Sequence, residues 1–199
     1  MKYSLYVEDV SVEAVFNRLG GTEGAKGLLR SERVLVGRDE AIRQGKILNF
    51  ECNVRYAGGK FVASESFTKS NPKVKFGYID ECFIKLFGNV KEDVPAGELA
   101  VNTLLLPKHD PEIMVALGPQ AKRFTKLGQF YMTLELQGLG QEGSLLVNGC
   151  ANIAYILEEN GAPWAVDAFW YGDGWLVSVF SVADQYTWAA GDLVLSQVA

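Results

Sequence analysis

Between Leu145 and Leu195, glycine-bearing turns divide the chain into short apolar, aromatic-rich segments, and this rhythm constrains the fold more than any other feature. Asn160-Gly161 and Gly172-Asp173-Gly174 stand on either side of Trp164–Tyr171, and Trp175–Val182 follows. Asn and Gly tolerate the positive φ angles that tight hairpin connections require, so the segments they join are expected to pair as an antiparallel meander. Trp164–Tyr171 reads apolar on both faces, so either the rest of the chain or an external partner must cover each side.

Upstream, Leu48, Phe50, Cys52, Val54 and Tyr56 alternate with Asn49, Glu51, Asn53 and Arg55, the period of a strand with one buried face. Ala57-Gly58-Gly59 predicts a turn back into Phe61–Phe67, hence a β-hairpin. Helical spacing appears earlier: after Ser11 as N-cap come Val12, Val15, Phe16 and Leu19, then Gly20-Gly21, then a second helix capped by Thr22 with Ala25, Leu28 and Leu29. It returns over Tyr78–Phe87, where Ile79, Phe83 and Leu86 share a side. Leu99–Leu106 reads as a buried strand. Asp110 is placed as the cap of a helix with Pro111 at its first position and Glu112 at the positive dipole end; Pro119 opens another helix carrying Phe124, Leu127, Tyr131 and Leu134.

These segments predict an α+β fold: an N-terminal helical hairpin, a β-hairpin, and central helices packed on a C-terminal antiparallel β-meander. At 199 residues with 48% hydrophobic content, one compact domain over 1–199 can bury a sizeable core. The acidic, proline-bearing Lys91–Gly97 is where a subdivision into 1–94 and 95–199 would fall.

A net charge of −5 gives little long-range attraction to phosphate, which sets nucleic acid among the unfavoured partners. Two local features run the other way. Lys26 and Arg30 would lie on the second helix of a helix-turn-helix, although Gly24 and Gly27 each weaken that helix by about 1 kcal/mol. Arg55, Lys60, Lys73 and Lys75 are interleaved with aromatics, a pattern that suits a single strand but also the solvated edge of a hairpin.

Cys52, Cys82 and Cys150 are odd in number and form no CxxC pair, and His109 is the sole histidine. A structural zinc site and a disulfide framework are both rejected on that count, leaving three reduced, mostly buried thiols. No GxGxxG, P-loop, GxSxG or HExxH occurs, so no cofactor is expected. No window approaches the roughly 20 apolar residues of a membrane span, and the N-terminus lacks a secretory apolar run. The expected setting is cytoplasmic, with no membrane partner.

Leu19-Gly20-Gly21-Thr22-Glu23-Gly24-Ala25, Leu146–Ile153, Gly172-Asp173-Gly174-Trp175, Trp188 and Gly191 occur in an order that resembles a group of hypothetical proteins from candidate-phylum bacteria, Parcubacteria and their relatives. The resemblance is best over Pro95–Ser196 and at the helical hairpin. It implies a bacterial origin and carries no activity or site residue with it.

Three function classes follow. Trp164, Trp170, Trp175, Phe180 and Trp188 supply more aromatic surface than one small sheet face buries, so the leading expectation is a non-catalytic interaction or scaffold protein, self-associating as a homo-oligomer or meeting a protein partner. The second is a small metal-independent, hydrolase-like enzyme. Its candidates are His109 beside Asp110, as base and orienter, and Asp167, paired with Glu135 or Glu158 if strand pairing brings them together. Asp167 is otherwise expected on the solvent side of a half-wet strand. A pocket with convergent polar groups around Asp167 or His109 favours this second class. Nucleic-acid binding through the basic residues above is the third.

Overall fold

Along Asn152–Leu157 successive side chains enter two different cores: Ala154 and Ile156 join one, Ile153 and Tyr155 the other. That alternation describes a sheet buried on both faces. The computed structural model describes residues 41–184 and 186–198. The chain divides into two compact units, Met1–Gln44 and Gly45–Ala199, and the main sheet and both cores lie in the second. The expected N-terminal helical hairpin, with Lys26 and Arg30, lies outside the described residues.

The main sheet runs β1 (Leu48–Tyr56), β5 (Gly97–Leu104), β12 (Leu193–Gln197), β8 (Asn152–Leu157), β9 (Pro163–Tyr171), β10 (Gly174–Ser181), β3 (Phe76–Ile79). A short β7 (Phe124–Thr125) joins β8 beside β12. Two further ladders stand apart: β2 (Gly59–Val62) with β4 (Lys91–Val94), and β6 (Lys108–His109) with β11 (Thr187–Trp188). The helices are α1 (Ala63–Ser66), α2 (Glu81–Phe87), α3 (Asp110–Leu117), α4 (Gln120–Arg123) and α5 (Leu127–Glu135).

The consecutive strands β8, β9 and β10 pair antiparallel, through the turns the sequence marks. Gly161 and Gly172 take φ of 85° and 64°, and Asn160 Oδ1 accepts from Ala162 N at 2.8 Å. The expected architecture fails around them. The sheet is mixed: β12 lies parallel to β8, β3 lies parallel to β10, and strands from the first half of the chain complete both edges. No separate C-terminal meander exists, because β12 inserts between β5 and β8 and welds the two halves of the chain into one sheet. The β1–β5 pairing likewise bridges the point between residues 94 and 95.

The early β-hairpin is also corrected. β1 pairs with β5, whereas β2 pairs with β4. Gly58, at φ 75°, sits against the backbone of Val94–Ala96, so the chain leaves the sheet there instead of folding back on β1. Phe61 on β2 then enters the first core, where its ring meets Tyr131 at 5.5 Å and Phe67 at 6.2 Å.

That first core lies beneath α1, α2 and α5. Phe67 is its hub, with ring contacts to Phe61, Phe76, Phe83 and Tyr131. The helix read over Tyr78–Phe87 proves to be the end of β3 followed by α2, whose N-cap Asp80 accepts from Cys82 N at 2.7 Å. Phe83 and Phe87, one turn apart, bury its inner face. The second core lies under α3 and holds Leu104, Ile113, Leu117, Ile153, Tyr155, Ala165, Val194 and Trp188. Cys82 is exposed, contrary to expectation, and Cys52 and Cys150 are half-buried free thiols. Among the described residues no helix is long and apolar enough to cross a membrane.

Candidate functional site

On β9, Asp167 sits between Ile153 of β8 and Ser178 of β10, at the margin of the second core. It is 4% exposed, and its Oδ1 has no hydrogen-bond partner. The expectation that Asp167 faces solvent is overturned. Strands on both sides and cover from above leave it almost no water.

The cover comes from the β6–β11 ladder, in which Thr187 faces His109 and Trp188 faces Lys108. This two-residue pairing carries Tyr186, Thr187 and Trp188 across the sheet. The chain then turns through Gly191, at φ 101°, and delivers Asp192 ahead of β12. Asp192 is fixed by two main-chain donors, Ala151 N to Oδ1 at 3.0 Å and Ala189 N to Oδ2 at 2.8 Å. Asp167, Asp192, Phe169, Tyr186, Thr187 and Trp188 line a cavity of about 290 Å³, the small end of the range for ligand pockets.

The electrostatics of this cavity are of one sign. Burial, then the charge of Asp192, then that of Asp80, push the Asp167 carboxyl up to about 7. The Tyr186 phenol is raised by burial and by the charges of Asp167, Asp192 and Asp110. Asp167 thus exchanges its proton near neutral pH, the condition for a group that both donates and accepts during a reaction.

A second buried carboxylate supports the cavity wall. Asp110, fully buried, accepts from Trp188 Nε1 at 2.7 Å and from Tyr155 Oη at 2.8 Å, both on Oδ1, while Oδ2 has no partner. Burial raises its pKa against the opposing pull of those two donors and of His109. Tyr155 is raised in turn by burial, by the Asp110 charge and by donating to it. Asp110 is therefore not the helix cap read from the sequence. His109 occupies the cap position, with Glu112 Oε2 accepting from His109 N at 3.3 Å, and the Asp110 side chain turns inward.

The His109 pair is not assembled as base and orienter. The Asp110 carboxylate is committed to Trp188 and Tyr155. His109 Nδ1 lies 2.9 Å from the Tyr186 carbonyl and 3.2 Å from Thr187 Oγ1. A carbonyl only accepts, so Nδ1 carries the proton and donates to it, and that nitrogen cannot take a proton from Thr187. His109 pins the flap.

Both acids expected as partners for Asp167 are engaged elsewhere: Glu135 pairs with Lys73 at 2.6 Å, and Glu158 accepts from Trp164 Nε1 at 3.1 Å. The acid that does reach it, Asp192, lies in a short Gly-Asp turn that resembles any other turn in sequence. Of the aromatic interaction candidates, Trp175 and Trp188 are fully buried, and Trp164, Trp170 and Phe180 are half-buried. Trp175 and Trp170 meet edge to face at 5.6 Å in the first core, while Phe180 and Trp188 do so at 5.4 Å beside the cavity. Of the basic candidates, Arg55 pairs with Glu98 at 3.4 Å, Lys73 with Glu135, and Lys75 with Asp173 at 2.7 Å. Lys60 lines a separate cavity of about 290 Å³ with Lys73, Tyr131 and Glu135. Among the described residues no group of three His, Cys, Asp or Glu side chains is placed to hold a metal ion.

Compared with family models, curated proteins and solved structures, the chain finds no match.

Proposed function

We propose that this protein binds a small molecule in the Asp167 cavity and acts on it by proton transfer, as a metal-independent acid–base enzyme with Asp167 as the group that exchanges the proton. The observation that carries this is Asp167, which lines a cavity and whose buried Oδ1 has no partner. An unmet acceptor in such a place costs stability, and a ligand that supplies a donor recovers it. Burial, aided by the charge of Asp192, keeps the Asp167 proton exchangeable near pH 7, and Tyr186 and Trp188 give the cavity apolar walls.

Self-association through an aromatic sheet has less to draw on. Trp175 and Trp188, 0% and 2% exposed, offer a partner no surface.

A thermal-shift screen of small polar compounds on the wild type and on Asp167→Asn tests the proposal. It expects compounds that raise the wild-type Tm by several degrees and lose that effect in the variant. A set of binders equally effective on both proteins would place their site elsewhere and end it.

A further inference from the structure

We infer that the occupant of the Asp167 cavity is a small organic cation, its ammonium or guanidinium group hydrogen-bonded to Asp167 Oδ1 within the field of Asp192 and against the rings of Tyr186 and Trp188. This deepens the proposed function and rests on it.

The lining holds two acids and no lysine, arginine or histidine. A cleft of one sign walled by apolar rings concentrates the opposite charge. The two acids divide the work. Both Asp192 oxygens already accept main-chain N–H groups, so its carboxylate is a charge held in place, whereas Asp167 Oδ1 is the atom still lacking a donor. An ammonium brings three N–H donors and a guanidinium five, with no acceptor to waste. The rings complete the match. Tyr186 stacks on Phe180 at 4.4 Å and meets Trp188 edge-on at 4.7 Å, which fixes an aromatic wall beside the acids. Cations over such faces are attracted by the negative face of the ring.

Other ligand chemistries fit less well. An anion finds two carboxylates and no basic side chain in the lining. A metal ion wants several oxygen or nitrogen ligands, and no cluster of three such side chains stands among the described residues. A neutral hydroxyl compound satisfies Oδ1 but leaves the negative field unanswered.

Binding must couple to protonation. The charged groups acting on Asp167 are Asp192, ahead of β12, and Asp80, at the N-terminus of α2. Tyr186 and Asp110 lie in the same field. All are acidic, so a cation that pairs with ionised Asp167 displaces its proton, and affinity rises with pH until Asp167 is fully ionised.

The test is calorimetric titration of the full chain with n-butylammonium and methylguanidinium, with n-butanol as the neutral match, at pH 6 and pH 8. The expected result is saturable binding of at least one cation, several-fold tighter at pH 8, with proton release at pH 6, and at least tenfold weaker in Asp167→Asn. If the variant does not fold, proton release and the pH dependence of the wild type still decide. Butanol binding as tightly as the cations, cation binding insensitive to Asp167→Asn, or no binding of either cation overturns the inference. In each case neutral compounds whose thermal shift depends on Asp167 would leave the acid–base proposal standing, whereas their absence as well would remove both.

Discussion

Trp188 Nε1 donates to Asp110 Oδ1 at 2.7 Å across 78 residues of sequence, tying the flap over the cavity to the first turn of α3. Tyr155 donates to the same oxygen from the sheet below. One carboxylate thus holds three elements together, at the cost of burying its second oxygen without a partner.

Trp188→Phe keeps an aromatic ring in the second core but removes the N–H together with part of the indole's bulk. Asp110 would be left with Tyr155 as its one side-chain donor. A hydrogen bond to a buried charged group contributes about 1.5–3 kcal/mol, so urea unfolding should place the variant about 2 kcal/mol below wild type. A difference under about 0.5 kcal/mol, the size of an ordinary surface change, would mean that the bond does not anchor the flap.

Asp167 makes stability depend on pH in a direction opposite to that of a salt-bridged acid. Its carboxyl is raised from 3.8 to about 7 in the folded protein, so over that interval the native state binds more protons than the unfolded chain. Stability therefore falls as pH rises through the interval, and the full cost is present above about pH 7. At about 1.36 kcal/mol per pH unit the contribution is on the order of 4 kcal/mol. Asp167→Asn carries no such charge and should be more stable than wild type at pH 8, the advantage shrinking toward pH 4. Denaturation curves across that range measure it, and a variant less stable at pH 8 would contradict the assignment of Asp167 as a buried, unpaired acid.

What is legible in the sequence is local. Asn160-Gly161 and Gly172-Asp173-Gly174 carry their own backbone geometry, and β8, β9 and β10 follow from them. The start of α3 is readable to within one residue from Asp110-Pro111-Glu112. Pairings between distant segments are not readable, because neither an alternating nor an all-apolar strand names its neighbour. β1 fits β5 as well as it would have fitted a hairpin partner, and nothing in Leu193–Gln197 announces a strand inserted parallel to β8. The site suffers the same limit. Asp167 is visible as a charge in an apolar run, but its burial depends on Tyr186–Trp188, which reach it only through a two-residue ladder with Lys108–His109. Asp110 reads as a cap because its two donors, Tyr155 and Trp188, lie 45 and 78 residues away.

Gly140 takes φ of 74° with the Trp170 indole packed directly on its α-carbon. A methyl group there would overlap the ring, with Cδ2 only 2.7 Å from the new carbon, and would also strain the backbone. Trp170 cannot easily yield, since its other side meets Trp175. Overpacking of this kind costs about 1–3 kcal/mol and the left-handed backbone adds about 1 kcal/mol. Gly140→Ala should therefore lower the Tm by several degrees in calorimetry, and a pairing with Trp170→Leu should recover part of the loss. An unchanged Tm would show that Trp170 does not rest on Gly140.

The basic residues that suggest nucleic-acid binding bear on a last prediction. Arg55, Lys73 and Lys75 are each paired with an acid, respectively Glu98, Glu135 and Asp173. Exposed pairs of this kind add little stability, but each cancels a charge that a phosphate would need. The wild type should pass through heparin at about 50 mM salt, the low end of the range over which phosphate contacts weaken. Replacing the partners together, Glu98→Gln, Glu135→Gln and Asp173→Asn, frees three cations without moving any basic residue and should produce salt-sensitive retention. Retention of the wild type comparable to that of the triple variant would mean that the pairs do not mask the basic side chains, and would return this face to the candidates for binding a polyanion.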